Sequence, residues 1–361
     1  MAEPLKNIFF TKDSLQHMAE RTRAAWPEFD AARFLALVFA DGWEQLELKD
    51  RMHRTARSLH ATLPQEYAQA LAIMEQVIPS IRGFDVMTFP DYVEIFGQDE
   101  PERSLQALGF FTRYASGEFA VRPFLLRYPE QTLAALHTWA QNPDPNVRRL
   151  ASEGCRPRLP WAMALPPLKA DPSPILPILE RLKDDDSEMV RRSVANNLND
   201  ISKDHPQVVL ALAERWAGQS AETDKLLKHA CRGLLKAGNP HALALFGFEH
   251  PEDAEVRDLR LLPERLPMGN TLEFDFVLHV GGDEETQVRL EYEIVFAKAR
   301  GTAKKIFQIS ERRYAPGDFR VRKRHSTADM STRKHYPGEH GLTVIVNGQR
   351  QAQAIFILEA A

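Results

Sequence analysis

Asn142-Pro143-Asp144-Pro145-Asn146-Val147-Arg148-Arg149-Leu150-Ala151 lies over Asp185-Asp186-Ser187-Glu188-Met189-Val190-Arg191-Arg192-Ser193-Val194 with a period of 43 residues. Each copy has a turn rich in Asp, Pro or Ser, then Val-Arg-Arg, then the start of an amphipathic helix. Turn residues followed by a 3.6-residue apolar rhythm mark a helix entry. Recurrence at a period of about 40–47 residues marks stacked helical hairpins, each unable to bury its apolar face alone.

A weaker third copy, Glu222-Thr223-Asp224-Lys225-Leu226-Leu227-Lys228-His229, follows 37 residues later. Three units suffice for a HEAT-like α-solenoid. Upstream, Leu35, Leu37 and Val38, and Leu71, Ile73, Met74, Val77 and Ile78, recur at helical spacing and are expected to face a core. The helical pattern runs to about Leu262, which places the first domain at 1–262.

Past a linker, Leu261 to Asn270, the period changes to two: Leu272, Phe274, Phe276, Leu278 and Val280 alternate, as do Val288, Leu290, Tyr292, Ile294 and Phe296. Further strands are expected at 306–309, 319–321 and 342–346, with an Asn347-Gly348 hairpin turn into 352–358. Short strands at this spacing over roughly ninety residues point to a β-sandwich, and an immunoglobulin-like domain is expected at 270–361. The expected fold is therefore α plus β in two domains.

The chain has 361 residues, 43% hydrophobic and 27% charged, as befits a folded globular protein. Its two cysteines, Cys155 and Cys231, have no CxxC spacing, and the twelve histidines no ligand spacing, so neither a disulfide scaffold nor a metal site is expected. No cofactor is implied. Met1 to Phe10 mixes charges without a long apolar run, so no signal peptide or membrane span is expected, and a reducing cytoplasm is the expected compartment. The net charge of −4 conceals a segregation: between Lys298 and His335 twelve Lys and Arg face three acids, so that segment is +9 and the remainder −13.

On a helix, residues i, i+3 and i+4 share a face. Arg149, Glu153 and Arg156 form one stripe; Arg192, Asn196 and Asp200 a second; His229, Arg232 and Lys236 a third. Stacked, they make a cationic wall with carboxylates set into it, and a cationic wall suits DNA phosphates.

The stretch Val147-Arg148-Arg149-Leu150-Ala151-Ser152-Glu153-Gly154-Cys155-Arg156-Pro157-Arg158-Leu159-Pro160-Trp161 resembles the AlkC branch of the AlkC/AlkD alkylpurine DNA glycosylases, as do Val190 to Pro206 and Met330 to Gly338. The resemblance covers nearly the whole chain. It implies a monomeric enzyme that excises cationic 3-methyladenine and 3-methylcytosine from double-stranded DNA, leaves an abasic site, and associates with the nucleoid. Glu153 and Asp200 repel phosphate, but a carboxylate near the sugar stabilises an oxocarbenium-like state or positions water. An N3-alkylated base already carries positive charge, so it leaves without a strong acid. The resemblance adds Glu118 as a third carboxylate. Trp161 has an indole face that favours a developing cation, worth roughly 0.5–2 kcal/mol. Arg149, Arg156, Arg158, Arg192, His229, Arg232 and Lys236 are assigned to DNA. So are Arg320, Arg322, Lys323, Arg324, Arg333, Lys334 and His335 in the basic C-terminal stretch, expected in loops. No lysine stands out as a Schiff-base nucleophile, so lyase activity is not expected. The resemblance also favours a lesion read through weakened stacking over one flipped into a pocket.

Plainer readings stand beside these. Glu153 with Arg149 and Arg156 is also an ordinary solvated helix face, Asp200 a helix end or cap, Trp161 a core anchor, and Glu118 an acid complementing a helix N-terminus. The basic stretch is also what edge strands carry against pairing. Trp26, Trp43, Trp139 and Trp216 are assigned to packing. A non-catalytic HEAT-repeat scaffold for protein or nucleic acid would leave Glu153, Asp200 and Trp161 dispersed, and an RNA-binding module would prefer A-form or single strands.

Overall fold

The computed structural model describes residues 5–248, 253–330 and 333–360; Ser331 and Thr332 of the C-terminal motif lie outside the described residues. The chain divides into two compact units, Met1–His205 with Trp216–Ala230, and Pro206–Arg215 with Cys231–Ala361.

The first unit is built of helices, and the repeat is its organising feature. Asp144 caps the Pro145–Glu153 helix by accepting from the Asn146 amide, with Pro145 in the first turn, where its missing N–H and fixed φ cost nothing. That helix packs on the Glu188–Ile201 helix, which packs on the Ala221–Ala230 helix. Val147, Leu150, Val190, Val194, Leu198, Leu226 and Leu227 are buried along this stack, each contributing about 1.5–3 kcal/mol if fully removed from water.

The first arginine of each Val-Arg-Arg ties one repeat to the next. Arg148 donates to the Asn142 and Pro143 carbonyls of its own turn and forks onto Asp185 of the following turn at 2.6 and 2.9 Å. Arg191 repeats this, donating to the Asp185 and Asp186 carbonyls and to Glu222 at 2.8 Å. The Ser152 and Ser193 hydroxyls meet at 2.7 Å, and Asn197 donates to the Ser152 carbonyl. These bonds fix the register in which the repeated helices present their second arginines, Arg149 and Arg192.

Two helical expectations need adjusting. In the Ala31–Val38 helix, Phe34 and Val38 point inward while Leu37 is exposed. The helical pattern also ends before Leu262, because Ala254–Leu262 is a strand.

Among the described residues the second unit is mainly a sandwich of eight strands: β1 (Ala254–Leu262), β2 (Arg265–Pro267), β3 (Thr271–Val280), β4 (Thr286–Ala297), β5 (Thr302–Tyr314), β6 (Gly317–Ser326), β7 (Gly338–Val346) and β8 (Gln349–Glu359). One sheet has the order β1-β3-β6 and the other β2-β8-β7-β4-β5. A bulge between Arg257 and Arg260 explains why β1 reads as helix: the extra residue breaks the two-residue rhythm, so that Val256 and Leu261, five apart, both face inward. The alternating apolar residues of β3, β4, β7 and β8 form one core. At the β7–β8 turn Asn347 and Gly348 have φ of 44° and 79°, as a two-residue hairpin turn of the primed type requires. A Cβ on Gly348 would meet Leu243 at 2.7 Å and Gly238 at 2.9 Å, so only glycine fits there.

Candidate active site

The Pro145–Glu153 helix stops at Glu153, so Arg156 lies in the following turn rather than on the helical stripe expected of it. Its amide still bonds the Glu153 carbonyl, and this folds the side chain back. Arg156 then donates to Glu153 at 2.6 Å and to Asp200 at 2.9 Å. Asp200, the penultimate residue of the Glu188–Ile201 helix, is 2% exposed and also accepts from Lys203 at 3.0 Å.

Glu118 joins this arrangement from the turn before the Val121–Arg127 helix. It is 2% exposed, takes a hydrogen bond from Arg149 on one oxygen, and leaves its other oxygen, Oε2, buried without a partner. Burial pushes its carboxyl above the usual range, Arg149 opposes the shift, and the charge of Glu153 adds to it. Three carboxylates from three separate segments are thus held by two arginines, with two of the acids close enough to repel each other. The solvated-face reading of Glu153 does not survive its burial.

Trp161 is no core anchor: it is 80% exposed. Its φ of 65° is left-handed, a conformation costing about 1–2 kcal/mol for a residue with a Cβ. Its carbonyl accepts from Lys49 at 2.7 Å, and the Lys49 ammonium stands 4.5 Å from the Phe119 ring centroid, next to Glu118. Trp43, Trp139 and Trp216 are buried as expected, and Trp26 is half-buried.

The remaining predicted contacts divide. Arg158 pairs bidentately with Asp204 at 2.7 and 2.9 Å. Arg192 is exposed and pairs with Glu188, while His229 meets Asn196 at 3.0 Å; both line an open cleft of about 360 Å³ with Glu222 and Lys225. The third stripe is not one helical face, because the Ala221–Ala230 helix ends before Arg232, which with Lys236 lies on a separate short helix.

In the sandwich, Arg320, Arg322, Lys323 and Arg324 lie on strand β6, not in a loop. Arg320 and Arg322 share Asp275 at 3.0 and 3.8 Å, and Arg324 takes Glu273 at 3.0 Å. His335 is buried edge-on against Phe296, so its expected DNA contact is replaced by a core role. Arg333 stacks on Phe296 and Phe307, and Lys334 is exposed.

Sequence reasoning missed Lys49, Lys203 and Arg122. The last is wholly buried in the Val121–Arg127 helix, donating to the Met163 carbonyl at 2.7 Å and the Gly154 carbonyl at 3.0 Å. Burial lowers its pKa to about 10. The only signal was an arginine at an inward position of the apolar run Val121 to Leu125.

Fold and site together define a helical-repeat protein with an enclosed carboxylate cluster and an immunoglobulin-like appendage. Residues 116–233 match the family model described as DNA alkylation repair enzyme. Residues 255–360 match the model of the C-terminal Ig-like domain of uncharacterised protein YhaZ. Uncharacterized protein YhaZ of Bacillus subtilis (strain 168) is 46% identical over 347 residues, 96% of each chain. The solved structure of Pseudomonas fluorescens alkylpurine DNA glycosylase AlkC, bound to DNA containing an abasic site analog, is 40% identical with a TM-score of 0.95, covering 99% of this chain and 100% of that one. The chain belongs to the AlkC branch of the AlkC/AlkD alkylpurine DNA glycosylases.

Proposed function

We propose that the protein is a monofunctional DNA glycosylase. It hydrolyses the N-glycosidic bond of cationic alkylated bases, 3-methyladenine and 3-methylcytosine, in double-stranded DNA and leaves an abasic site. The observation that carries this reading is the gathering of Glu118, Glu153 and Asp200 around Arg149 and Arg156, close to the turn from which Trp161 projects. Anionic oxygens fixed in a largely water-free setting stabilise a developing oxocarbenium ion without reorganising. The leaving base is already cationic and needs no acid. The free Oε2 of Glu118 is an acceptor suited to holding the attacking water. The exposed indole of Trp161 offers its face to the sugar.

A non-catalytic scaffold would leave Glu153, Asp200 and Trp161 dispersed, whereas Glu153 and Asp200 share one guanidinium and the exposed Trp161 stands on the turn that follows Glu153. Lys203, the amine bonded to Asp200, is ion-paired, which supports hydrolysis over Schiff-base chemistry. Arg149 and Arg192 serve phosphates beside the chemistry. The helical unit carries the reaction, and the sandwich, which begins with the strand Ala254–Leu262, adds a basic edge that grips DNA. No helix among the described residues is long and apolar enough to cross a membrane. Its substrate, genomic duplex DNA, places the proposed enzyme in the cytoplasm with the nucleoid.

Duplex DNA treated with a methylating agent should release free 3-methyladenine and 3-methylcytosine on incubation with the protein, and borohydride should trap no covalent complex. Base release at the spontaneous rate from folded protein would sink the reading.

A further inference from the structure

We propose that Lys49 and Arg122 are positioning residues that clamp the turn 154–165 by its backbone carbonyls and so fix where Trp161 stands. The inference rests on the reading of Trp161 given above and assigns a role to two cations outside the carboxylate cluster.

Three observations carry it. First, the clamps fall at three points of one turn: Arg122 holds Gly154 and Met163, and Lys49 holds Trp161 itself. Second, both cations are placed where stability alone would not put them. Lys49 is the second residue of the Leu48–Thr62 helix, at the end where the helix dipole disfavours positive charge. Arg122 is fully buried, bonded to two carbonyls, with Nη2 left unpartnered. Glu94 lies near enough to feel the charge of Lys49, yet the ammonium donates to the Trp161 carbonyl. Third, the clamps lead to the carboxylates. Arg122 bonds the residue after Glu153, and Lys49 covers the ring of Phe119, the residue after Glu118.

The turn begins under constraint as well, since a Cβ on Gly154 would meet Val121 at 2.6 Å. An exposed aromatic on an unsupported turn samples many positions, whereas a group acting on a transition state must be held within a fraction of an ångström. Two cations on carbonyls supply that hold without occupying the indole face.

The test compares Lys49→Met, Lys49→Arg, Trp161→Phe and the double variant Lys49→Met/Trp161→Phe. Single-turnover release of 3-methyladenine is measured at saturating enzyme, alongside affinity for abasic-site DNA. Acrylamide quenching of Trp161 in the free protein is taken as the difference between each protein and its Trp161→Phe counterpart. Lys49→Met should slow release roughly ten- to a hundred-fold, leave affinity within about two-fold and raise Trp161 quenching. Lys49→Arg should recover most of the rate, and the double variant should be no slower than Trp161→Phe. Arg122→Lys, which keeps the charge but not the fork, should move both readouts in the same direction.

Unchanged rate and quenching in Lys49→Met overturn the proposal. So does an additive loss in the double variant, which would place Lys49 on another path. Weaker binding with a shallower salt dependence and unaltered quenching would make Lys49 a direct phosphate contact instead. If Trp161→Phe itself releases base at the normal rate, the reading of the site fails, while the quenching comparison still decides whether Lys49 holds the turn.

Discussion

Two buried arginines, one in each unit, are each held between two carboxylates. Arg156 meets Glu153 and Asp200 at 2.6 and 2.9 Å; Arg289 meets Glu291 and Glu311, both at 2.7 Å. Both sets are nearly closed to solvent, and by distance and burial alone they are equivalent. Their origins differ. Glu311 stands directly opposite Arg289 in the β4–β5 register, and Glu291 is two residues along the same face of β4. Sheet geometry therefore accounts for the whole trio. The helical network draws on three segments far apart in sequence, sets Glu118 against Glu153, and sits where a strained turn presents an exposed tryptophan. A buried ion pair is weak evidence for anything, since desolvation offsets much of its attraction. The crowded acids and the exposed aromatic are what stability does not explain.

The contrast is broken most directly by neutralising one acid in each network. Glu153→Gln and Asp200→Asn should each lower single-turnover base release by roughly 10²–10³-fold, about 3–4 kcal/mol, the cost of losing one aimed electrostatic group. Glu291→Gln should lower the urea midpoint and leave the rate per folded molecule unchanged. An equal loss of rate from Glu291→Gln would erase the distinction. Removing the guanidinium tests stability instead. Arg289→Met removes the guanidinium from two buried carboxylates and should cost about 3–5 kcal/mol. Arg156→Met should cost less, because Lys203 still neutralises Asp200. Urea unfolding of the two variants side by side reads the difference.

Acid separates the units with opposite signs. His325 is 6% exposed, bonded to the Tyr292 hydroxyl at 3.0 Å and set against Phe307, and burial lowers its pKa to about 4. Unfolded, it would titrate at its ordinary 6.5, so the unfolded chain takes up the proton first. The sandwich holds this stability in full above about pH 6.5 and loses it as pH falls toward 4, about 3 kcal/mol in all. Glu118 is displaced upward: folded protein binds its proton more readily than unfolded chain, so mild acid favours the helical unit. His325→Phe should flatten the acid-side slope of urea midpoints measured between pH 7 and pH 4. The same slope in the variant would remove His325 from the account.

The repeat was legible because its arginines, Arg148 and Arg191, answer to local turns whose spacing the chain must preserve. Glu153 and Asp200 stand out in the sequence as acids out of place in cationic stripes, and the structure brings both onto Arg156. What escaped was set by departures from period or by distance. The bulge in β1 shifted its phase, and the break at Cys231 split the third stripe. Lys49 and Trp161 are 112 residues apart, and Arg122 and Met163 are 41 apart. Both bonds end on backbone carbonyls, which leave no trace in side-chain pattern. His335 was misplaced because charge counting cannot see an aromatic shelf such as Phe296.

The smallest expected effect concerns the basic edge of the sandwich. The surplus of +9 overstates its field, because Asp275 and Glu273 on β3 already engage Arg320, Arg322 and Arg324. Arg322 is the least committed: its contact with Asp275 is 3.8 Å, and Arg320 holds the same acid at 3.0 Å. Arg322→Ala should therefore leave the fold intact. If β6 grips DNA, the variant binds duplex a few-fold more weakly, with the slope of log affinity against log salt shallower by about 0.9 for the one phosphate lost. Its saturated release rate should stay at the wild-type value if the carboxylates of the other unit do the chemistry, as proposed. An unchanged salt slope would mean that these arginines neutralise neighbouring acids and guard an exposed edge against pairing. The helical unit would then carry the binding as well as the reaction.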